Sequence, residues 1–128
     1  VAKSPAFARI KADVLRIVAA IPPGRVATFR DIGAHLDAMP RHVAYILATL
    51  GHAEQAAIPW HRAIGGDLTL GTPKANGFGI GQAALLGEEG TGFDARGRLL
   101  DPGRVVAVAD LPHGVARQQR PTVTPGRR

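Results

Sequence analysis

The sequence predicts a mainly α-helical domain with a little β structure, and three observations carry that prediction. Apolar residues recur at helical spacing from Phe7 to Val18 and again from Val43 to Leu50. Two short helical stretches are separated only by "DAMP", the arrangement that a helix-turn-helix requires. Beyond Ala57 the chain breaks into short extended pieces, glycine-rich turns and one more brief helix.

The first helix is read from "SPAFARIKADVLRIVAAI", with Ser4 as N-cap and Pro5 at the first helical position. Phe7, Ile10, Val14, Ile17 and Val18 share one face. "PPG" ends this helix, and "GRVATF" is a short extended connection. Thr28 is placed to cap a second helix, "FRDIGAHL", and the turn "DAMP" leads into a third from Arg41 to about Leu50.

That third helix buries Val43, Ile46, Leu47 and Leu50, and its other face carries Arg41, Ala44, Tyr45 and Ala48. Alanines there favour helix for their own sake. They also let another surface approach the backbone closely, with Arg41 in reach of a phosphate, and recognition is the reading adopted.

Ala57 to Thr72 reads as extended pieces and turns, and "TPKANGFGIG" as a loop whose glycines do not match a phosphate-loop spacing. "GQAALLGEEG" is a last short helix closed by Gly90, and "TGFDARGRLLD" a small hairpin with basic residues at its tip. The domain is expected to span residues 1–108, and residues 109–128 to form a basic, Pro-rich, flexible tail. No internal repeat is present.

Composition narrows the function. One domain of 128 residues holds a single modest core of Ala, Val, Leu and Ile. No window is apolar enough to span a bilayer and no signal peptide is evident, so the chain reads as cytoplasmic. It has no cysteine, which excludes disulfides, thiolate metal sites and cysteine nucleophiles. A net charge of +6 favours polyanions, nucleic acid first among them. The five histidines (His35, His42, His52, His61, His113) lack ligand spacing, and no metal or other cofactor is expected. Glu88, Glu89 and His61 offer a relay, but only Thr69 and Thr72 stand as candidates for it to activate, so hydrolysis is not favoured.

The chain's only tryptophan, Trp60, stands in "QAAIPWHRAIGG" between Pro59 and His61-Arg62. A lone tryptophan in a small domain is commonly a core residue. Its proline, charged and glycine neighbours favour instead a platform on which a nucleobase stacks.

The segments "IPPGRVATFRDIG", "MPRHVAYIL", "IPWHRAIG" and "LLGEEG" together resemble the DNA-binding domain of O6-alkylguanine-DNA alkyltransferases, over roughly residues 5 to 105. Those enzymes carry Pro-Cys-His-Arg and move an alkyl group from guanine to the cysteine. Here the motif is Pro59-Trp60-His61-Arg62, as in the alkyltransferase-like proteins, which bind the lesion without repairing it and hand it to nucleotide excision repair. An indole is no substitute for a thiolate acceptor, so no catalytic residue is expected.

The resemblance implies a winged-helix-like helix-turn-helix domain of the alkyltransferase C-terminal type, without the N-terminal domain of the full enzymes. It implies minor-groove binding with the damaged nucleotide flipped out. Phe29 takes the place of a tyrosine that pushes the phosphate round, with Arg30 beside it. The arginine that fills the vacated stack is replaced by Ala44, leaving Arg41 or Tyr45 as the wedge. His61 and Glu89 become a hydrogen-bonded brace, Arg62 holds the loop, and Lys74 is the basic residue expected near the alkylated base. The implied partners are double-stranded DNA containing O6-alkylguanine and excision-repair proteins, for a monomer associated with the nucleoid. The competing readings are a winged-helix regulator without lesion specificity and an alkyltransferase with another acceptor.

Overall fold

The computed structural model describes residues 5–70 and 81–118, and its organising element is a helix pair packed on a longer first helix. The first helix, α1 (Pro5–Ala19), begins at the expected proline; Ser4, the expected cap, lies outside the described residues. Val14, Ile17 and Val18 are fully buried, with Phe7 and Ile10 packed against the same cluster. Helix α2 (Phe29–Leu36) starts as the sequence indicates: the Thr28 hydroxyl accepts the Asp31 N–H at 3.0 Å. Helix α3 (Pro40–Ala48) takes Pro40 at its start, one residue before the expected Arg41, because proline's fixed φ suits the first helical position.

The turn between α2 and α3 is tight. Asp37 caps α2 in the left-handed conformation (φ 54°), and the N–H groups of Asp37 and Ala38 both return to the Gly33 carbonyl. A Cβ on Gly33 would stand 2.4 Å from the Ala38 carbonyl oxygen. Glycine in mid-helix is therefore a requirement of the turn that follows it.

The β part is small. Strand β1 (Ala27–Thr28) pairs in parallel with β2 (Ala63–Ile64), Ala27 opposite Ala63 and Thr28 opposite Ile64. Val26 adds a bridge to Val105. This ladder brings the residues after Trp60 directly beside the entry to α2. The hairpin forms as read: Phe93 faces Leu99 across a turn in which Gly97 takes φ 79°. Helix α5 (Gln82–Glu88) is followed by Gly90 at φ 85°.

The structure corrects the sequence reading in two places. Residues 52–57 form a short helix, α4 (His52–Ala57), that periodicity does not announce because none of its residues is buried. Its signal is the Glu54 carboxylate accepting the Gly51 N–H at 3.1 Å.

The second correction concerns the tail expected after residue 108. Residues up to Gln118 pack back across α2 as a strap. His35 and the Val115 carbonyl are 2.8 Å apart, and the Gln118 N–H donates to the His35 carbonyl at 2.7 Å. Val115 is buried, and the rings of His35 and His113 meet edge to face. A polar, proline-rich composition hid a segment whose backbone groups bond to the His35 ring, the His35 carbonyl and the Arg16 guanidinium. Residues 119–128 lie outside the described part.

Candidate functional site

The turn that carries Pro59-Trp60-His61-Arg62 is a single 3-10 turn, Trp60–Arg62, with Pro59 as its N-cap. The Arg62 N–H donates to the Pro59 carbonyl at 3.0 Å, after which the chain enters β2. Helix α5 locks the turn from the other side: the Gln82 side-chain amide donates to the carbonyls of His61 and Ala63, each at 3.0 Å. Sequence reasoning missed Gln82. Its position at the start of α5 carries no local signal for a partner so distant in the chain.

Beneath the turn lies an ionic brace. Arg62 reaches both Glu89 carboxylate oxygens through Nε, at 3.0 and 3.1 Å, and Oε2 again through Nη2. Its Nη1 donates to the Ile21 carbonyl at 2.8 Å, so the guanidinium also ties down the end of the α1 region. His61 Nε2 lies 3.0 Å from Glu89 Oε2. An ionised carboxylate only accepts, so that nitrogen carries the proton and donates.

The Gly24 N–H completes the set at 3.3 Å. Burial raises the Glu89 carboxyl, but the hydrogen bonds from Arg62, His61 and Gly24 outweigh it and lower the group from 4.5 to about 2. The brace is thus a fixed anion held by two side chains and a backbone amide.

Pro59, Trp60, His61 and Arg62 line one cavity of about 430 Å³, with Gln55 and Leu85 among its other walls. The indole differs from the open platform read in the sequence. Trp60 is only 3% exposed and belongs to the same buried cluster as Ile17, Leu47 and Ala63. Its ring and that of His61 stand nearly perpendicular, with the two planes at 86°. A large apolar ring buried beside a polar brace satisfies the hydrophobic effect first. Little of its surface is left for stacking.

The α3 residues form a separate surface. Arg41 and Ala48 are exposed, Ala44 is partly so, and Tyr45 is half-exposed. Tyr45 lines a groove with Phe7, Lys11 and Thr49 that shares no residue with the cavity at Trp60. Phe29 packs partly against the core at the start of α2, while Arg30 beside it is exposed. Lys74 lies outside the described residues. Among the described residues no three His, Asp or Glu side chains converge as metal ligands, and no helix is long and apolar enough to cross a membrane.

Two short helices joined by a closed turn, with an alanine-lined outer face on the second and a parallel β bridge behind, define a helix-turn-helix DNA-binding domain. Residues 9–91 match the family model described as 6-O-methylguanine DNA methyltransferase, DNA binding domain, and the chain belongs to that family.

Its fold is that of the alkyltransferase-like proteins. The crystal structure of S. pombe Atl1 in complex with damaged DNA containing O6-carboxymethylguanine superimposes with a TM-score of 0.62 at 23% identity. A second S. pombe ATL structure in complex with DNA gives 0.59 at 26% identity. In both cases the match covers 77% of this chain and 95% of the other. No curated protein sequence matches the chain.

Proposed function

We propose that the domain binds duplex DNA at O6-alkylguanine, holds the lesion without removing its alkyl group, and flags it for nucleotide excision repair. One observation carries this reading. The His61–Glu89–Arg62 brace is intact under a Pro-x-His-Arg turn whose variable position is Trp60, in a chain with no cysteine. In the enzymes of this family, by the resemblance drawn above, the same frame activates a thiol. Here it has nothing to activate and serves to hold the turn, so binding is the function left to it.

In this reading α3 enters the minor groove, and Ala44 and Ala48 allow the backbone to come close. Tyr45 or Arg41 enters the stack as the base leaves it. Flipping costs a few kcal/mol, and less for a poorly paired base, which favours alkylated guanine over the intact one. Phe29 and Arg30 steer the phosphate. The protein works as a monomer in the cytoplasm, on nucleoid DNA.

The test is a titration of matched duplexes with and without one O6-methylguanine. Tighter binding to the lesion supports the proposal, and equal affinity would leave the plain winged-helix regulator, which the departure at Ala44 favours. Labelled alkyl DNA separates binding from chemistry. Radiolabel that moves to the protein would sink the non-catalytic reading.

A further inference from the structure

The basic hairpin has no part in the site described so far. Its tip is built so that the acidic side chains are occupied and the basic ones are not. Asp94 Oδ1 accepts the backbone N–H groups of Arg96 and Arg98 at 2.8 and 3.0 Å. In the neighbouring turn Asp67 accepts from the Thr69 hydroxyl at 2.7 Å and from its N–H at 3.2 Å. These two turns are one unit: Thr69 bridges Arg98, and the Leu70 N–H donates to the Gly97 carbonyl at 3.0 Å.

Arg30 joins the same unit from α2. A Cβ on Gly66 would lie 3.2 Å from both Cβ and Nε of Arg30, so the arginine side chain lies close over the turn. Arg30, Arg96 and Arg98 are all exposed, and none forms a salt bridge among the described residues. Asp67 exerts only a longer-range attraction on Arg98.

We infer that the 94–98 hairpin and the Gly66 turn form a second DNA-binding surface, a basic wing that continues from Arg30 at the start of α2. It takes the phosphate backbone of the duplex beside the position bound by α3. Exposed guanidiniums match phosphate in charge and in planar, forked geometry. They sit on hydrogen-bonded turns joined to the first turn of α2, which fixes their place relative to the helix-turn-helix. Phosphate contacts add affinity and register without reading the base. The inference rests on the DNA-binding reading proposed above and adds to it a surface that acts independently of the lesion.

The test is R96A/R98A in the full chain, titrated with matched and O6-methylguanine duplexes over a range of salt. Alanine keeps the two backbone N–H groups that Asp94 binds, so the turn is retained; R96Q/R98Q is a second variant with polar side chains. The expected result is an equal loss of affinity for both duplexes, with the slope of log K against log salt shallower by about 1.8. The lesion preference ratio stays where it was.

An unchanged slope in both wing variants would overturn the inference while leaving any lesion preference standing. A shallower slope in a protein that shows no lesion preference would uphold the wing and reject the lesion reading.

Discussion

Arg62 holds Glu89 through two of its nitrogens across 27 residues of chain. The pair joins the Pro-Trp-His-Arg turn to the end of α5, and both side chains are largely buried. Replacing Glu89 by Gln removes the counter-charge and leaves the guanidinium, largely shielded from water, with the neutral Ile21 carbonyl but no anion to balance it. Breaking such a pair from one side costs more than the pair contributes in net terms, about 3 kcal/mol here. Urea unfolding of Glu89→Gln measures it. A change below about 0.5 kcal/mol would mean the pair behaves as an exposed one.

The same carboxylate sets an acid limit. Its value falls from 4.5 to about 2 in the folded protein. A group with a lowered folded value contributes its full stability above the unfolded value, and loses it as pH falls towards the folded one. The window is therefore about pH 4.5 to 2, with stability decreasing as acid is added. The contribution is on the order of 2 kcal/mol, after allowance for the water that reaches the carboxylate. Unfolding midpoints measured across that window should converge for the wild type and Glu89→Gln as the pH approaches 2.

Much of this architecture is legible in the sequence because its causes are local. The α1 stripe, the Thr28 cap and the Gly97 turn each follow from residues a few positions apart. What is hidden is decided by partners distant in the chain. Val115 reads as one apolar residue in a polar tail, and only the carbonyl–His35 contact shows that it docks. Trp60 reads as a platform from its neighbours, whereas the core that buries it is assembled from α1, α3 and β2. The sequence alone offers Glu88 and Glu89 equally as partners for His61, and only the resemblance to a family singles out Glu89, since nothing in the spacing of the residues demands that they meet.

Gly33→Ala tests the joint of the helix-turn-helix. On propensity alone, alanine should stabilise a helix interior by up to about 1 kcal/mol. Here the added methyl meets a backbone carbonyl that cannot rotate away. A net destabilisation of about 1–3 kcal/mol is expected, as for other overpacked sites. A rise in melting temperature would show that the turn relaxes freely.

The strap makes a second structural prediction. A chain ending at Asp110 loses the Val115 side chain from the core and leaves the His35 ring nitrogen without its carbonyl partner. Burial of one valine is worth about 1.5 kcal/mol, and an unmet buried polar group costs about 1–3 kcal/mol. A chain ending at Gln118 keeps both interactions. Comparing the two truncations by denaturant unfolding isolates the strap. Equal stability would mean that residues 111–118 rest on α2 without holding it.

Trp60 needs a gentler substitution than alanine. The ring is part of the core, so Trp60→Ala opens a large cavity and costs about 3–5 kcal/mol. Lost lesion binding in that variant would report unfolding as readily as a lost contact. Trp60→Phe keeps an aromatic ring in the same cluster and loses only the outer part of the indole. Since this is the only tryptophan in the chain, its fluorescence reports the site without labelling. Free protein should emit at the short wavelengths of a buried indole.

Titration with O6-methylguanine duplex should shift that emission if the lesion enters the cavity walled by Pro59 to Arg62, and matched duplex should leave it unchanged. In Trp60→Phe, binding to matched DNA should hold while the preference for the lesion falls. If the preference survives intact, Trp60 acts through packing alone, and the contact with the damaged base belongs to other residues.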